Sequence, residues 1–216
     1  MKAVFLDRQT FSEEIDFSAI EAIVTSLTCY PTTEATEIIK RCQDAEIIIT
    51  NKVVLTEAIL KSLPKLQLIC VSATGTNNVD IPAATALGIK VTNVSGYSNN
   101  SVAQYVFSQI LEYYSSPYHH QQNIRQGVWQ ESRTFCYHGK GSIELAGKTL
   151  GIIGYGSLGK SVAKLAEAFG MQVLIAERKG ENQLRNGYHQ FDEVLTQSDI
   201  ITLHCPQTKA TEQMVN

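Results

Sequence analysis

The stretch from Leu145 to Arg178, LAGKTLGIIGYGSLGKSVAKLAEAFGMQVLIAER, constrains the fold more than any other part of the chain. A short apolar run, Thr149 to Ile153, leads straight into Gly154-Tyr155-Gly156-Ser157-Leu158-Gly159. A helix is expected next, with Leu158, Val162, Leu165, Ala166 and Phe169 on one face. A second run, Gln172 to Ala176, ends at Glu177, eighteen residues past Gly159. Strand, glycine turn, helix, strand and acid, in that order, make up the unit that holds a dinucleotide. In such a unit Gly154 permits the tight turn, Gly156 lets backbone approach a pyrophosphate, and Gly159 lets helix and strand pack closely. The helix start offers unpaired N–H groups and a positive dipole end to phosphates. A glycine turn that only packs a helix on a sheet is the alternative, and the ordered presence of all five parts argues against it. Glu177 can accept from the ribose hydroxyls of NAD and repel a 2′-phosphate, whereas Arg178 and Lys179 pull the other way. NAD is therefore favoured, with NADP possible.

The first hundred residues alternate short apolar runs with amphipathic stretches. Strands are expected at Ala3 to Leu6, Leu27 to Tyr30, Ile47 to Thr50, Leu68 to Val71 and Lys90 to Val94. Asp16 is expected to cap a helix bearing Ile20, Ile23, Val24 and Leu27, and further helices are expected at Thr33 to Cys42 and Thr56 to Ser62. Ile81 to Leu87 has Pro82 in its first turn and stops at Gly88, as a helix should. Alternating strand and helix implies a parallel sheet covered on both faces. Asn100 or Ser101 is expected to cap a long helix through Val102, Tyr105, Val106, Ile110 and Tyr113. The segment Ser115 to Ile143 then lacks apolar periodicity while carrying Trp129, Phe135, Tyr137, His119, His120 and His138. It is too long for a simple connection and reads as an arm on another subunit or on the cleft, or else as a locally packed surface loop. After the glycine unit, a short helix (Phe191 to Gln197) and a third strand (Asp199 to Leu203) are expected to complete one half of a dinucleotide fold, and the sequence stops at Asn216. The domain organisation expected is 1–99 for one α/β domain and 100–216 for an incomplete dinucleotide domain that includes the arm 115–143.

Several function classes are disfavoured. A net charge of −3 gives no basic footprint for nucleic acid. No apolar run reaches membrane-spanning length, and the N-terminus lacks the apolar region of a signal peptide. The five cysteines, Cys29, Cys42, Cys70, Cys136 and Cys205, are odd in number and widely spaced, which fits free thiols in a reducing cytoplasm. No metal site is expected, since the histidines have no partner at ligand spacing.

Taken together, the chain resembles the D-isomer-specific 2-hydroxyacid dehydrogenase family, most closely its glycerate dehydrogenase or hydroxypyruvate reductase branch. The matching stretches are ITNKVVL (49–55), VSATGTNNVDIPAA (71–84), VTNVSGYSNNSVAQYVFSQILE (91–112), the glycine unit and IITLHCPQTKAT (200–211). The resemblance covers the whole chain. It implies a flavodoxin-like substrate domain, the first half of a Rossmann NAD-binding domain, and a cleft between the two. The implied reaction moves hydride between a nicotinamide and a small 2-hydroxy or 2-keto acid, here glycerate, hydroxypyruvate or glyoxylate. Thr74 and Gly75, in a loop after a strand, would hold the substrate carboxylate; Asn51 is either a cleft residue or a turn residue. Val102 would approach the cofactor, Tyr155 to Leu158 would cover the pyrophosphate, and His204, Cys205, Pro206 and nearby Thr211 would face the adenosine side. The family's catalytic Arg, Glu and His are expected beyond Asn216, so no catalytic residue is assigned and the 216 residues are expected to be inactive alone. A two-fold dimer is implied. A non-catalytic NAD-binding sensor or corepressor-like protein is the alternative, which the carboxylate loop disfavours.

Overall fold

A computed structural model describes residues 1–134 and 136–215. The chain forms two compact units, Met1–Ser95 and Gly96–Asn216. No helix among the described residues is long and apolar enough to cross a membrane.

The first unit is a five-stranded parallel sheet of β1 (Lys2–Phe5), β2 (Ser26–Cys29), β3 (Ile47–Thr50), β4 (Leu68–Val71) and β5 (Lys90–Asn93), in the order β2-β1-β3-β4-β5. That is the flavodoxin-like order, which reverses between β1 and β3. Alternation along the strands sends Val4, Leu6, Ile48, Ile69 and Val71 to one face. There they pack with Ile38 and Cys42 of α2 (Ile38–Cys42), Leu60 of α3 (Glu57–Lys61) and Ala84 of α4 (Ile81–Ala86). On the opposite face Phe5 meets Phe11 and Phe17 edge to face, at 5.8 and 5.4 Å between centroids. The Asp80 carboxylate caps α4 by accepting from the N–H of Ala83 at 3.0 Å.

Two expectations fail here: the helix over Ile20 to Leu27 is one turn, α1 (Ser18–Glu21), with Leu27 in β2, and its N-cap is Phe17 rather than Asp16. Residues 26–29 gain a full ladder with β1 by extending, and pairing outweighs the local apolar spacing. Asp16 binds the Ser18 N–H (2.8 Å) and hydroxyl (2.7 Å) just before that turn.

The second unit opens with α5 (Asn99–Ser115), whose N-cap is Ser98, without a side-chain cap bond; neither Asn100 nor Ser101 caps it. Its buried face is Ala103, Phe107 and Ile110, while Tyr105 and Tyr113 are exposed. The arm is not wholly irregular: Ser116 takes left-handed backbone (φ 46°) and Pro117 starts α6 (Pro117–Arg125). This helix buries no residue and so has no apolar period to reveal it; Pro117 at its first turn and Gly127 just past its end are the sequence signals. Phe135 of the arm lies outside the described residues.

The sheet of this unit contains β6 (Thr149–Ile153), β7 (Gln172–Ala176) and β8 (Ile200–Leu203), all parallel, in the order β7-β6-β8. The third strand thus lies across β6 from β7 rather than extending the β6-β7 side. A single parallel bridge, Ala176 to His189, occupies the far edge of β7. Strand order therefore reverses between β6 and β8. One sheet face is covered by α5 and α7 (Ser157–Ala168), through Leu150, Ile152, Val162, Ala163 and Ala166. The other is covered by α8 (Phe191–Gln197), through Ile153, Ala176, Phe191, Val194 and Met214. On α7 the buried residues are Gly159, Val162, Ala163 and Ala166. Leu158 is only half-buried, and Phe169, exposed at the helix end, stacks on Phe107 with 5.2 Å between centroids.

Candidate dinucleotide and carboxylate sites

In parallel α/β sheets, ligands bind outside the carboxyl ends of the strands where strand order reverses. In the second unit that point is the turn after β6. Gly154 has φ +98°, and a Cβ there would run into the backbone of His204 and Cys205 at the end of β8. A Cβ on Gly159 would strike the carbonyl of Gly154. Both residues are glycine for reasons internal to the fold. Gly156 differs: its φ is −81° and a Cβ there would meet nothing within 4 Å. Neither backbone strain nor crowding by the protein requires glycine at that position, and the space beside it is open for a ligand. The first N–H groups of α7, on Ser157, Leu158 and Gly159, have no hydrogen-bond acceptor among the described residues, as at any helix start. Turn, open space and free donors together suit a pyrophosphate.

Around this turn the expected residues fall into two groups. The His204 N–H donates to the Ile153 carbonyl (2.7 Å), and its Nε2 lies 2.9 Å from the Thr202 hydroxyl. Burial pushes the His204 imidazole below its ordinary pKa, which favours the neutral ring. Cys205 packs with the Ile153 and Phe191 cluster. The Thr211 hydroxyl donates to the Pro206 carbonyl (2.7 Å) and accepts from the Thr208 N–H (2.7 Å), closing the loop after β8. Val102 is half-buried in the first turns of α5, and Asn99 at the start of that helix lies 3.4 Å from the Ser157 hydroxyl.

Glu177 follows β7 and is 3 % exposed. Its Oε1 accepts from the Arg178 N–H (2.9 Å) and Arg185 Nη2 (2.6 Å); its Oε2 accepts from the Arg185 N–H (3.2 Å) and Nε (2.7 Å). The Arg185 fork, together with these backbone N–H bonds, holds its carboxyl down at about 2. The Arg185 guanidinium also lies 3.9 Å over the Tyr188 ring, and Tyr188 meets Tyr155 of the glycine turn edge-on at 6.3 Å. Lys179 is occupied elsewhere, donating to the Met214 carbonyl (2.9 Å). Sequence reasoning missed Arg185 and Tyr188. They sit in a loop without periodicity, folded back by Gly180 and Gly187 at φ +83° and +79°.

In the first unit the point of strand reversal is filled by the chain itself. The Asp7 carboxylate, 4 % exposed, accepts from the N–H groups of Asn51 (2.9 Å), Lys52 (2.6 Å) and Val53 (3.3 Å) and from the Thr50 hydroxyl (3.3 Å). Asp7, another residue that sequence reasoning missed, thereby fixes the loop that carries Asn51. The Thr74-Gly75 loop follows β4, exposed, and the Asn93 side chain donates to the Thr74 carbonyl (2.8 Å). The N–H groups of Thr74, Gly75 and Thr76 have no acceptor among the described residues. Three consecutive free donors on an anchored loop suit a carboxylate.

Comparison with known proteins gives the family. Residues 107–216 match the family described as D-isomer specific 2-hydroxyacid dehydrogenase, NAD binding domain. A putative 2-hydroxyacid dehydrogenase of Haemophilus influenzae is 43 % identical over 216 residues, covering 100 % of this chain and 68 % of the relative. The chain belongs to the D-isomer specific 2-hydroxyacid dehydrogenases. Another relative in this family, the glycerate dehydrogenase of Methylorubrum extorquens, is 41 % identical over 99 % of the chain and 66 % of its own length. The D-lactate dehydrogenase of Aquifex aeolicus, solved with NAD and lactic acid, superposes with a TM-score of 0.77 at 30 % identity, over 99 % of this chain and 63 % of that one. The chain spans about two thirds of the length of these dehydrogenases. The second unit is thus an NAD-binding domain of the family, and the parallel α/β architecture is shared with its solved members.

Proposed function

We propose that this chain is the cofactor- and carboxylate-binding part of a dehydrogenase that interconverts a small 2-hydroxy acid and its 2-keto acid, with glycerate and hydroxypyruvate, or glyoxylate, as substrates. The observation that carries the reading is the glycine turn at the strand reversal, where Gly156 opens onto empty space beside the free donors of α7. A bound nicotinamide supplies or accepts the hydride. The residues here bind and orient: Ser157, Leu158 and Gly159 hold phosphate oxygens through backbone N–H groups, with Tyr155 and Val102 beside them. The Pro206–Thr211 loop and His204 line the adenosine side. Thr74 and Gly75 hold the substrate carboxylate, with Asn51 held nearby in the same unit by Asp7. None of them is assigned proton transfer or polarisation of the keto group, so the 216 residues alone bind without turning over. The protein assembles as a two-fold dimer in which the exposed aromatics of α5, α6 and the arm are covered.

Titration of NADH, followed by nicotinamide fluorescence, tests this reading. The wild-type chain should bind. Gly156→Val should keep its fold, because its Cβ has room and its backbone is extended, and should lose binding by about tenfold or more as the side chain fills the phosphate space. Equal binding by the two proteins would remove the assignment. In the same assay with hydroxypyruvate, the 216 residues should oxidise no NADH above background.

A further inference from the structure

The Glu177 carboxylate has no vacant acceptor position. An ionised carboxylate accepts at about four sites, and here four N–H groups fill them, two from the Arg185 fork and two from backbone. A ribose hydroxyl that donates to Glu177 must displace part of Arg185. That displacement is opposed by the stacking of the guanidinium on Tyr188. An open pocket of about 400 Å³ lies directly over this pair, lined by Glu177, Arg178, Glu181, Gln183, Leu184 and Arg185. Lys179 contributes nothing to it, being bonded to the Met214 carbonyl. The cations available to a ligand there are Arg178 and Arg185, the second 54 % exposed beyond its contact with Glu177.

We propose that Arg185 is the specificity-determining residue of this pocket: by occupying both Glu177 oxygens it cancels the acid's selection for a free 2′-hydroxyl, and with Arg178 it supplies the charge that accepts a 2′-phosphate. The inference rests on the dinucleotide reading above. Three charged groups face Arg185, namely Glu177, Glu181 and Arg178. With Arg185 present the four cancel, and a phosphate meets a guanidinium suited to bidentate contact. Without it the pocket carries a net negative charge and Glu177 regains two acceptor sites.

NADH and NADPH differ only by the 2′-phosphate, so the ratio of their dissociation constants reads this pocket directly, without turnover. Wild type should bind the two within about tenfold of each other. Arg185→Gln should weaken NADPH relative to NADH by about tenfold or more, the scale of one charge-assisted hydrogen bond. Glu177→Gln should move the ratio toward NADPH. Arg185→Lys guards against misfolding: it keeps the cation without the fork, and should move the ratio the same way as Gln but less. An unchanged ratio in Arg185→Gln and Arg185→Lys, with NADH still bound, overturns this inference alone. Rejection of NADPH by wild type at about a hundredfold or more does the same. Failure of every variant and of wild type to bind either nucleotide overturns the dinucleotide reading together with it.

Discussion

At the scale of single residues, the Glu177–Arg185 pair has a measurable signature in stability. The ordinary value for a glutamate is 4.5, and in the folded chain Glu177 stands at about 2. A depressed folded value means that the stabilisation is complete above 4.5 and is lost as pH falls from 4.5 toward 2. Asp44, paired with Lys65, and Asp199, bonded to the Thr149 N–H, are lowered too, so acid alone does not isolate Glu177. The difference between wild type and Glu177→Gln does. Thermal melts should show the variant less stable at pH 7, with the gap closing toward pH 2. A gap independent of pH would mean that the carboxylate is not held by Arg185 in solution.

At the scale of elements, Asp7 ties the end of β1 to the loop after β3. Its carboxylate is buried and takes three backbone N–H groups and a hydroxyl from residues 50–53. Hydrogen bonds to a charged group are worth about 1.5 to 3 kcal/mol each, and part of that returns as the freed N–H groups find water. Asp7→Ala should therefore destabilise the first unit by about 2 to 4 kcal/mol, and Asp7→Asn by less, since one acceptor oxygen remains. Urea denaturation of the variants checks this. Loss below about 0.5 kcal/mol for Asp7→Ala would show that the loop holds itself. The element scale also shows where sequence patterns mislead. The apolar spacing of Ile20, Ile23, Val24 and Leu27 suggested a helix of two turns, but only one turn forms, α1, and Leu27 pairs with β1 in β2 instead. The α6 segment suggested no helix, because it buries no residue and so shows no apolar period.

At the scale of the whole molecule, exposed aromatics concentrate in the second unit. Tyr105 and Tyr113 of α5, Tyr118 of α6 and Trp129 of the arm are 65, 80, 62 and 49 % exposed. Large aromatic side chains are enriched at protein–protein interfaces, where their area can be buried. Light scattering at low micromolar concentration should show a species of two chains, and Tyr113→Lys should shift it toward one. A monomeric wild type would remove the dimer.

The local sequence determined all eight strands to within a residue or two, as well as the glycine turn and the exposed loop at Thr74 and Gly75. It could do so because these features rest on neighbours in the chain: apolar runs of strand length, glycines bounding a turn, and proline and glycine at helix ends. The order of the strands was not written locally. Nothing in residues 199–203 says that β8 crosses to the far side of β6, yet that crossing brings His204 and Cys205 against Gly154. Nor does a buried carboxylate announce its partner. Glu177 was legible as an acid at a strand end, but Arg185 reaches it from a loop turned back by two glycines. Asp7 meets Asn51 across forty-four residues. Burial forces each of these charges to find donors, and only the folded backbone decides which donors lie within reach.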